Sequence, residues 1–298
     1  MSVVLLSGGT GGAKLARGLY ELLDDELAVL ANTGDDIEIY GAHVSPDPDL
    51  ITYWLADRID ERGWGIAGDS FRAMAMLGEL GFYDWFNLGD SDLAFCLART
   101  ALLGDGLTQT EAHARLVSAL GVRAAVLPMS DQPVRTRIQS AGEWVGLQEF
   151  MIRLRAAAPI EDVEFSGVED AVPSPAVLAA LADASVIIIG PSNPVLSIGP
   201  ILALAGIREA LQDKPVVAIS PIVAGGVVKG PTAACMAWAG LATDVSGIVA
   251  IYDGLIDAVV ADEPTDAIAS LRCDTLMSTA EQRVSLAQRV LEFSASLH

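Results

Sequence analysis

The chain is poor in the residues that staple small folds or hold transition metals. Its three cysteines, Cys96, Cys235 and Cys273, are odd in number and far apart, with no Cys-x-x-Cys pair among 298 residues. That argues against structural disulfides and a zinc site and fits a reducing compartment. Cys96 falls on an apolar helix face and reads as core. Histidine is as scarce: His43, His113 and His298 are scattered, and none sits in a polar loop at the end of an expected strand. No Gly-x-Ser-x-Gly elbow is present either, so Ser-His-Asp chemistry lacks support. The greasiest stretch, Pro194 to Ile207, is broken by Gly199, Pro200 and Gly206 and is too short to span a bilayer. The first residues run straight into a strand without a charged leader, so the expected location is the cytoplasm. Basic residues are few, 18 against 39 acidic ones, for a net charge of −21. Such a surface repels nucleic acid and anionic membranes, and neither is an expected partner.

What is present is concentrated at the start. Val3-Val4-Leu5-Leu6 runs into Ser7-Gly8-Gly9-Thr10-Gly11-Gly12-Ala13-Lys14. That pattern is a strand, a glycine-rich turn and an amphipathic helix. Glycines let backbone N–H groups approach an oxyanion closely, and the helix aims its positive end at the same point. Gly8, Gly9, Thr10, Gly11, Gly12 and Lys14 are therefore candidate phosphate or nucleotide contacts. The bland alternative is a turn that only lets helix and sheet pack closely. Neither familiar loop matches. A Walker A loop needs glycine before the lysine and Ser or Thr after it, where this chain has Ala13 and Leu15. A dinucleotide fingerprint begun at Gly9 needs glycine where Lys14 stands.

Further along, short Val- and Ile-rich runs alternate with helical patterns. Strands are expected at Leu27–Ala31, Ala124–Leu127, Val186–Ile189, Val216–Ile219 and Ile248–Ile251, with a hairpin formed by 134–139 and 143–148. A mostly helical stretch covers about 50–120. Within it Asp69 is expected to cap a helix carrying Phe71, Met74 and Leu77, and Asp90 or Ser91 to cap the next. Thr108 to Glu111 reads as a capping box, Ser174-Pro175 and Gly230-Pro231 as helix starts, and Ser278 to Glu281 as the cap of a last helix. The alternation predicts an α/β, Rossmann-like fold: a mostly parallel sheet with helices on both faces, in one domain over 1–298. The 50–120 stretch is expected to be an insertion forming a lid or cleft wall.

In open α/β sheets ligands bind beyond the carboxyl ends of the strands. Asp35, Asp36, Asp47 and Asp49 crowd a short region beside the glycine loop. A hard divalent cation takes a few carboxylates plus phosphate oxygens and water, so these are candidate ligands for Mg2+. Asp35 bonding a ribose hydroxyl and ordinary turn chemistry are the alternatives. Ser130 and Asp131, Ser192 and Asn193, and Lys229 lie in loops after expected strands and are candidate donor or nucleotide contacts. Arg135 and Arg137 alternate on a strand and read best as surface pairs. With no covalent nucleophile indicated, the natural chemistry is metal-assisted phosphoryl-type transfer.

Taken together, Ser-Gly-Gly-Thr-Gly-Gly-Ala-Lys (7–14), Asn-Thr-Gly-Asp-Asp (32–36), Ser-Pro-Asp-Pro-Asp (45–49), Arg-Gly-Trp-Gly-Ile (62–66), Leu-Gly-Asp (88–90), Pro-Met-Ser-Asp (128–131), Pro-Ser-Asn-Pro (191–194), Ser-Ile-Gly-Pro (197–200) and Asp-Thr-Leu-Met (274–277) resemble the 2-phospho-L-lactate transferase family. The similarity runs in order over nearly the whole chain. It implies a Rossmann-like, magnesium-dependent, dimeric enzyme of coenzyme F-420 biosynthesis. A GDP-activated small acid (lactyl, enolpyruvyl or glyceryl) would pass its phosphorylated acid to the ribityl hydroxyl of the deazaflavin Fo, releasing GMP. The family's deazaflavin-contacting aspartate falls at Asp49, and its metal-binding carboxylates fall within Asp35-Asp36 and Asp47-x-Asp49. The resemblance makes Asp49 and Asp36 the expected catalytic residues and puts Asp49, Asp90 and Ser91 on the acceptor side. One departure stands out: relatives commonly read Gly-Asp-Arg-Asp where this chain has Gly89-Asp90-Ser91-Asp92, losing an arginine expected to help bind the acceptor.

Two other classes compete. The gluconeogenesis-factor-like proteins, with a similar glycine loop and aspartate-rich second loop, suggest a non-catalytic nucleotide or nucleotide-sugar binding regulator. The Pro-Met-Ser-Asp and Pro-Ser-Asn-Pro loops favour the transferase. An NAD-dependent oxidoreductase is weakened by the failed fingerprint.

Overall fold

Both faces of the central sheet are apolar, which is why its strands read as unbroken hydrophobic runs. The computed structural model describes residues 2–82, 85–227 and 230–297. The strands are β1 (Val3–Ser7), β2 (Leu27–Ala31), β3 (Ile37–Ile39), β4 (Ala42–Val44), β5 (Ala125–Pro128), β6 (Arg135–Ser140), β7 (Glu143–Gly146), β8 (Asp162–Ser166), β9 (Val186–Ile189), β10 (Val216–Ile219), β11 (Ile222–Val223), β12 (Gly226–Val227), β13 (Ala258–Ala261) and β14 (Ala269–Arg272). Seven of them form a parallel sheet in the order β14–β13–β10–β9–β1–β2–β5. Val4, Leu6, Ile187, Ile189 and Ala218 project into one core, and Val3, Leu5, Val186, Ile188 and Val217 into the other. That alternation is the period of two expected of a strand covered on both sides.

The helices are α1 (Gly9–Leu23), α2 (Pro46–Leu55), α3 (Arg72–Glu79), α4 (Asp90–Gly104), α5 (Gln109–Ala119), α6 (Pro175–Asp183), α7 (Ile198–Ala203), α8 (Ile207–Leu211), α9 (Thr232–Trp238), α10 (Val245–Ile251) and α11 (Ala280–Ala295). α1 lies against α11 so tightly that a Cβ on Gly18 would sit 2.3 Å from the Arg283 carbonyl. The hairpin β6–β7 gains β8 as a third antiparallel strand. This small sheet is tied to the main one where the Thr136 N–H donates to the Gly34 carbonyl at 2.7 Å.

Three expectations change. The run Ile248–Ile251 is the end of α10, not a strand. The Asp244 carboxylate accepts the Gly247 N–H and starts a helix, and the buried Val245, Ile248 and Tyr252 share one helical face. The strand in that part of the sheet is β13 instead. The last helix is capped by Thr279 with Gln282, one residue beyond the expected box.

The third change is an exchange of caps. Asp69 does not cap α3, nor do Asp90 or Ser91 cap α4. The Asp69 carboxylate accepts the N–H groups of Ser91 and Asp92 at the start of α4, while Asp90 accepts those of Arg72 and Ala73 at the start of α3. Each carboxylate serves the other helix's N-terminus, which fixes the two helix starts side by side.

Candidate functional site

After β1 the chain builds outward through β2 to β5, and after β9 outward the other way through β10 to β14. The strand order therefore reverses at β1 and β9, and the crevice beyond their carboxyl ends is where a ligand belongs in an open sheet. A cavity of about 980 Å³ occupies that place.

One wall is the glycine loop. Gly8, in extended conformation, precedes α1, and Gly9 takes a left-handed φ of 64°. A Cβ on Gly11 would lie 2.2 Å from the Pro191 carbonyl, so loop and β9 turn meet closely only because the residue is glycine. The Gly8 N–H donates to Ser192 Oγ at 3.2 Å and the Gly9 N–H to Asp47 Oδ1 at 2.6 Å. Thr10 and Gly11, in the first turn of α1, line the cavity, and their amides have no acceptor within the helix.

The second wall is acidic. Asp47 is held by Gly9 and by Asn32 Nδ2 (2.9 Å to Oδ2). Burial lifts its pKa to about 6, against those two bonds and with help from the Asp36 charge. Asp35 accepts from Gln148 Nε2 through Oδ2 at 3.2 Å, while its Oδ1 is buried without a partner. Burial first, then repulsion from Asp47 and Asp36, drives Asp35 well above the ordinary carboxylate range. Asp49 is bound bidentately by Arg99 of α4, with Nη1 3.1 Å from Oδ2 and Nη2 on Oδ1.

A third wall comes from the helical segment. Tyr53, Trp64, Phe71, Phe86 and Leu88 make it largely apolar. Set into it is Asp92, which accepts the Tyr53 hydroxyl at 2.8 Å and is raised to about 6 by burial and the nearby Asp49 charge. Asp49, Asp92 and Cys96 each place a ligand atom within 4.8 Å of the others.

The structure brings Gly8, Gly9, Thr10, Gly11, Lys14, Asp35, Asp47, Asp49, Ser192 and Asn193 to one cavity. It does not bring the other candidates there. Gly12 is buried beneath the loop, where a Cβ would meet Ser7 Oγ at 2.1 Å. Asp36 points away, its oxygens taken by Ser45 Oγ (2.7 Å), Gln109 Nε2 (2.7 Å) and His43 Nε2 (3.1 Å). Ser130 and Asp131 follow β5, the edge strand two removed from β1. Ser130 Oγ donates to the Val172 carbonyl, and Asp131 accepts the Thr110 N–H at the start of α5. Asp90 and Ser91 are spent on the cap exchange. Lys229 lies outside the described residues. Reading the sequence missed Tyr53, Asp69, Asp92, Gln148 and Arg155 in the cavity wall. The second acid of Gly89-Asp-Ser-Asp92 was the one available signal, one helical step beyond the residues it suggested.

Among the described residues no helix is long and apolar enough to cross a membrane. The model of the family 2-phospho-L-lactate transferase CofD matches residues 3–289. The 2-phospho-L-lactate transferases of Methanosarcina mazei and Methanospirillum hungatei are each 39% identical to this chain, covering 97% of it and 99% of their own length. That of Methanocaldococcus jannaschii is 37% identical over 99% of both. Among solved structures, a UPF0052 family member from Bacillus halodurans superposes with a TM-score of 0.63 at 17% identity, over 97% of this chain and 98% of that one, which shows a shared fold. With the family model spanning nearly the whole length, this chain belongs to the 2-phospho-L-lactate transferase family.

Proposed function

We propose that this enzyme transfers the phosphorylated acid of a GDP-activated lactyl, enolpyruvyl or glyceryl donor to the terminal ribityl hydroxyl of the deazaflavin Fo, in coenzyme F-420 biosynthesis. The hydroxyl oxygen attacks the phosphorus that bears the acid. The bond from that phosphorus to the bridging oxygen breaks, GMP leaves, and the hydroxyl proton passes to a base. The observation that carries this reading is the meeting of the glycine loop and three buried aspartates at one crevice, in a chain of this family.

The amides of Thr10 and Gly11 and the positive end of α1 hold the donor's diphosphate, with Lys14 beside them. The residues fit a magnesium ion. Asp35 Oδ1 is a buried carboxyl oxygen with no partner, and Asp35, Asp47 and Asp49 all reach the cavity, so a divalent cation there would offset the burial, and with it the mutual repulsion, that raises the first two. A magnesium ion held by these aspartates would supply charge neutralisation for the donor's diphosphate. Asp49, fixed by Arg99, orients the attacking hydroxyl and accepts its proton. The apolar wall from Tyr53 to Leu88 receives the flat acceptor ring, a contact that does not need the arginine absent at Ser91. A cytoplasmic homodimer completes the reading implied by the family.

The test is incubation of the purified enzyme with donor, Fo and Mg2+, followed by mass spectrometry. Phosphodiester and GMP are expected in equal amounts. Binding of donor and Fo without either product would make the chain a nucleotide-binding regulator instead.

A further inference from the structure

Among the described residues seven non-glycine positions hold a left-handed φ, and of these only Arg155 (φ 54°) and Ala156 (φ 49°) line the cavity. The conformation costs an L-residue about 1–2 kcal/mol, and glycine adopts it freely. Two in succession beside a ligand cavity, the first of them an arginine, mark a place where the side chain matters more than the strain.

The fold holds this geometry firmly. The residues follow a π-helical turn, Glu149–Arg153, a form found often at functional sites. Phe150 is wholly buried with Ile138, Leu147, Val195 and Leu196. The turn closes where the Leu154 N–H donates to the Glu149 carbonyl at 3.1 Å and the Ala156 N–H to the Phe150 carbonyl at 2.9 Å. Gln148, just before it, donates to Asp35. Leu196, which packs against it, follows Ser192 and Asn193 in the chain. Arg155 therefore lines the cavity from a turn whose base is tied to Asp35 and packed with Leu196.

Arg155 is exposed at the cavity, and like several other arginines of this chain it has no acidic partner among the described residues. In a chain of net charge −21, Arg62 is paired with Asp60, Arg99 with Asp49, Arg135 with Glu38 and Arg153 with Glu149. Among the described residues no carboxylate pairs with Arg155, although five aspartates share its cavity: Asp35, Asp47, Asp49, Asp69 and Asp92. A guanidinium kept free of such neighbours is available to an anionic ligand.

We propose that Arg155 receives the free carboxylate of the small acid carried by the donor, and so sets the requirement for an acid rather than a simple alcohol at that position. This deepens the proposed function and rests on its donor. The donor carries two anionic parts. The diphosphate has the α1 amides; the carboxylate, displaced from it by the length of the acid, needs a separate partner. A planar guanidinium takes a carboxylate through two parallel hydrogen bonds.

The experiment is titration calorimetry in Mg2+ with three probes: GDP, the GDP ester of lactate, and the GDP ester of 2-propanol, in which a methyl replaces the carboxylate. The parent protein is expected to bind the lactate ester at least about tenfold more tightly than the propanol ester. In Arg155→Met that ratio falls to about one, in Arg155→Lys it is intermediate, and GDP affinity is the same in all three. An unchanged ratio in Arg155→Met overturns the assignment. So does an equal weakening of GDP, which would give the guanidinium to the diphosphate. Turnover with Fo is scored separately. If the parent makes no phosphodiester, the proposed function falls, while the binding ratio still judges Arg155.

Discussion

Arg99 and Asp49 form a bidentate ion pair inside the protein, the arginine side chain wholly buried and the carboxylate nearly so. Three helices meet at this pair, because the guanidinium also donates to His113 Nδ1 at 3.4 Å. Burial and the adjacent guanidinium keep the His113 imidazole neutral, and its Nε2 faces Thr52 Oγ1 of α2 at 3.2 Å. With Nδ1 accepting from Arg99, the remaining ring proton belongs on Nε2 and is donated to Thr52, whose hydroxyl donates to the Pro48 carbonyl. The pair thus anchors α4 and α5 to the turn that carries Asp47 and Asp49. Removing one partner strands a buried charge, so Arg99→Met is expected to lose about 3–5 kcal/mol in denaturant unfolding. The double variant Arg99→Met with Asp49→Asn loses less than the sum of the two single changes. Additive losses would show that the two side chains do not interact.

The proposed mechanism makes turnover depend on Asp49 in a different way. Asp49→Asn removes the proposed proton acceptor and also leaves the buried Arg99 charge unmatched, so in protein shown by circular dichroism to be folded a fall of about 100-fold or more in kcat is expected, with donor KM changing far less. Unchanged kcat removes Asp49 from the chemistry.

On the proposed reading, magnesium and protons compete for the acidic wall. Asp47 has a pKa near 6 without metal, and Asp35 lies well above the ordinary range. Both must be ionised to bind a cation, so Mg2+ affinity rises with pH through about 6 and beyond, with proton release on binding. Calorimetry in buffers of different ionisation enthalpy measures this. In the metal-free protein the sign reverses. A carboxyl whose folded pKa is raised binds more protons folded than unfolded, so its effect on stability worsens as pH rises from about 4 to about 6. Thermal melts with Mg2+ and with chelator are expected to diverge as pH increases over that range.

His43 gives the opposite dependence to a histidine buried in its neutral form, such as His113. Burial disfavours its charged form, but the carboxylates of Asp36 and Glu38 outweigh burial and lift its pKa to about 9. The resulting stabilisation is complete below about pH 6.5 and is lost as pH rises through 9. About 2 kcal/mol is expected to disappear between pH 6 and pH 9.5 in denaturant titrations, and His43→Gln removes most of that slope.

Much of the architecture was legible because its signals are local. β2, β9 and β10 fall where the Val- and Ile-rich runs place them, and Thr108 with Glu111 makes the expected capping box. The errors come where an interaction is not local. Asp69 and Asp90 each have the right chemistry for a cap, yet they cap across a sequence separation of about twenty residues, which no spacing rule reveals. Likewise Ser130 and Asp131 resemble site residues, but their distance from the crevice follows from strand order, a property of the whole sheet. Arg155 carried no sequence signal, because its strain and its lack of a partner exist only in three dimensions.

The glycine loop separates two reasons for glycine, and two substitutions tell them apart. Gly9 needs its residue type for conformation: φ is 64°, and nothing lies within 4 Å of an added Cβ. Gly9→Ala should cost only the left-handed penalty, about 1 kcal/mol, and leave the Gly9 N–H on Asp47. Gly11 has no positive φ, but its Cβ would lie 2.2 Å from the Pro191 carbonyl, a backbone atom that cannot swing aside. Gly11→Ala must therefore push the α1 start and the β9 turn apart, which moves the Thr10 and Gly11 amides and the Ser192 hydroxyl together. The expected result is a larger loss of melting temperature than in Gly9→Ala and a GDP affinity weakened by at least about tenfold, since misplaced amides no longer converge on one phosphate. If Gly11→Ala melts and binds GDP as Gly9→Ala does, the close approach of these two loops is not what shapes the site.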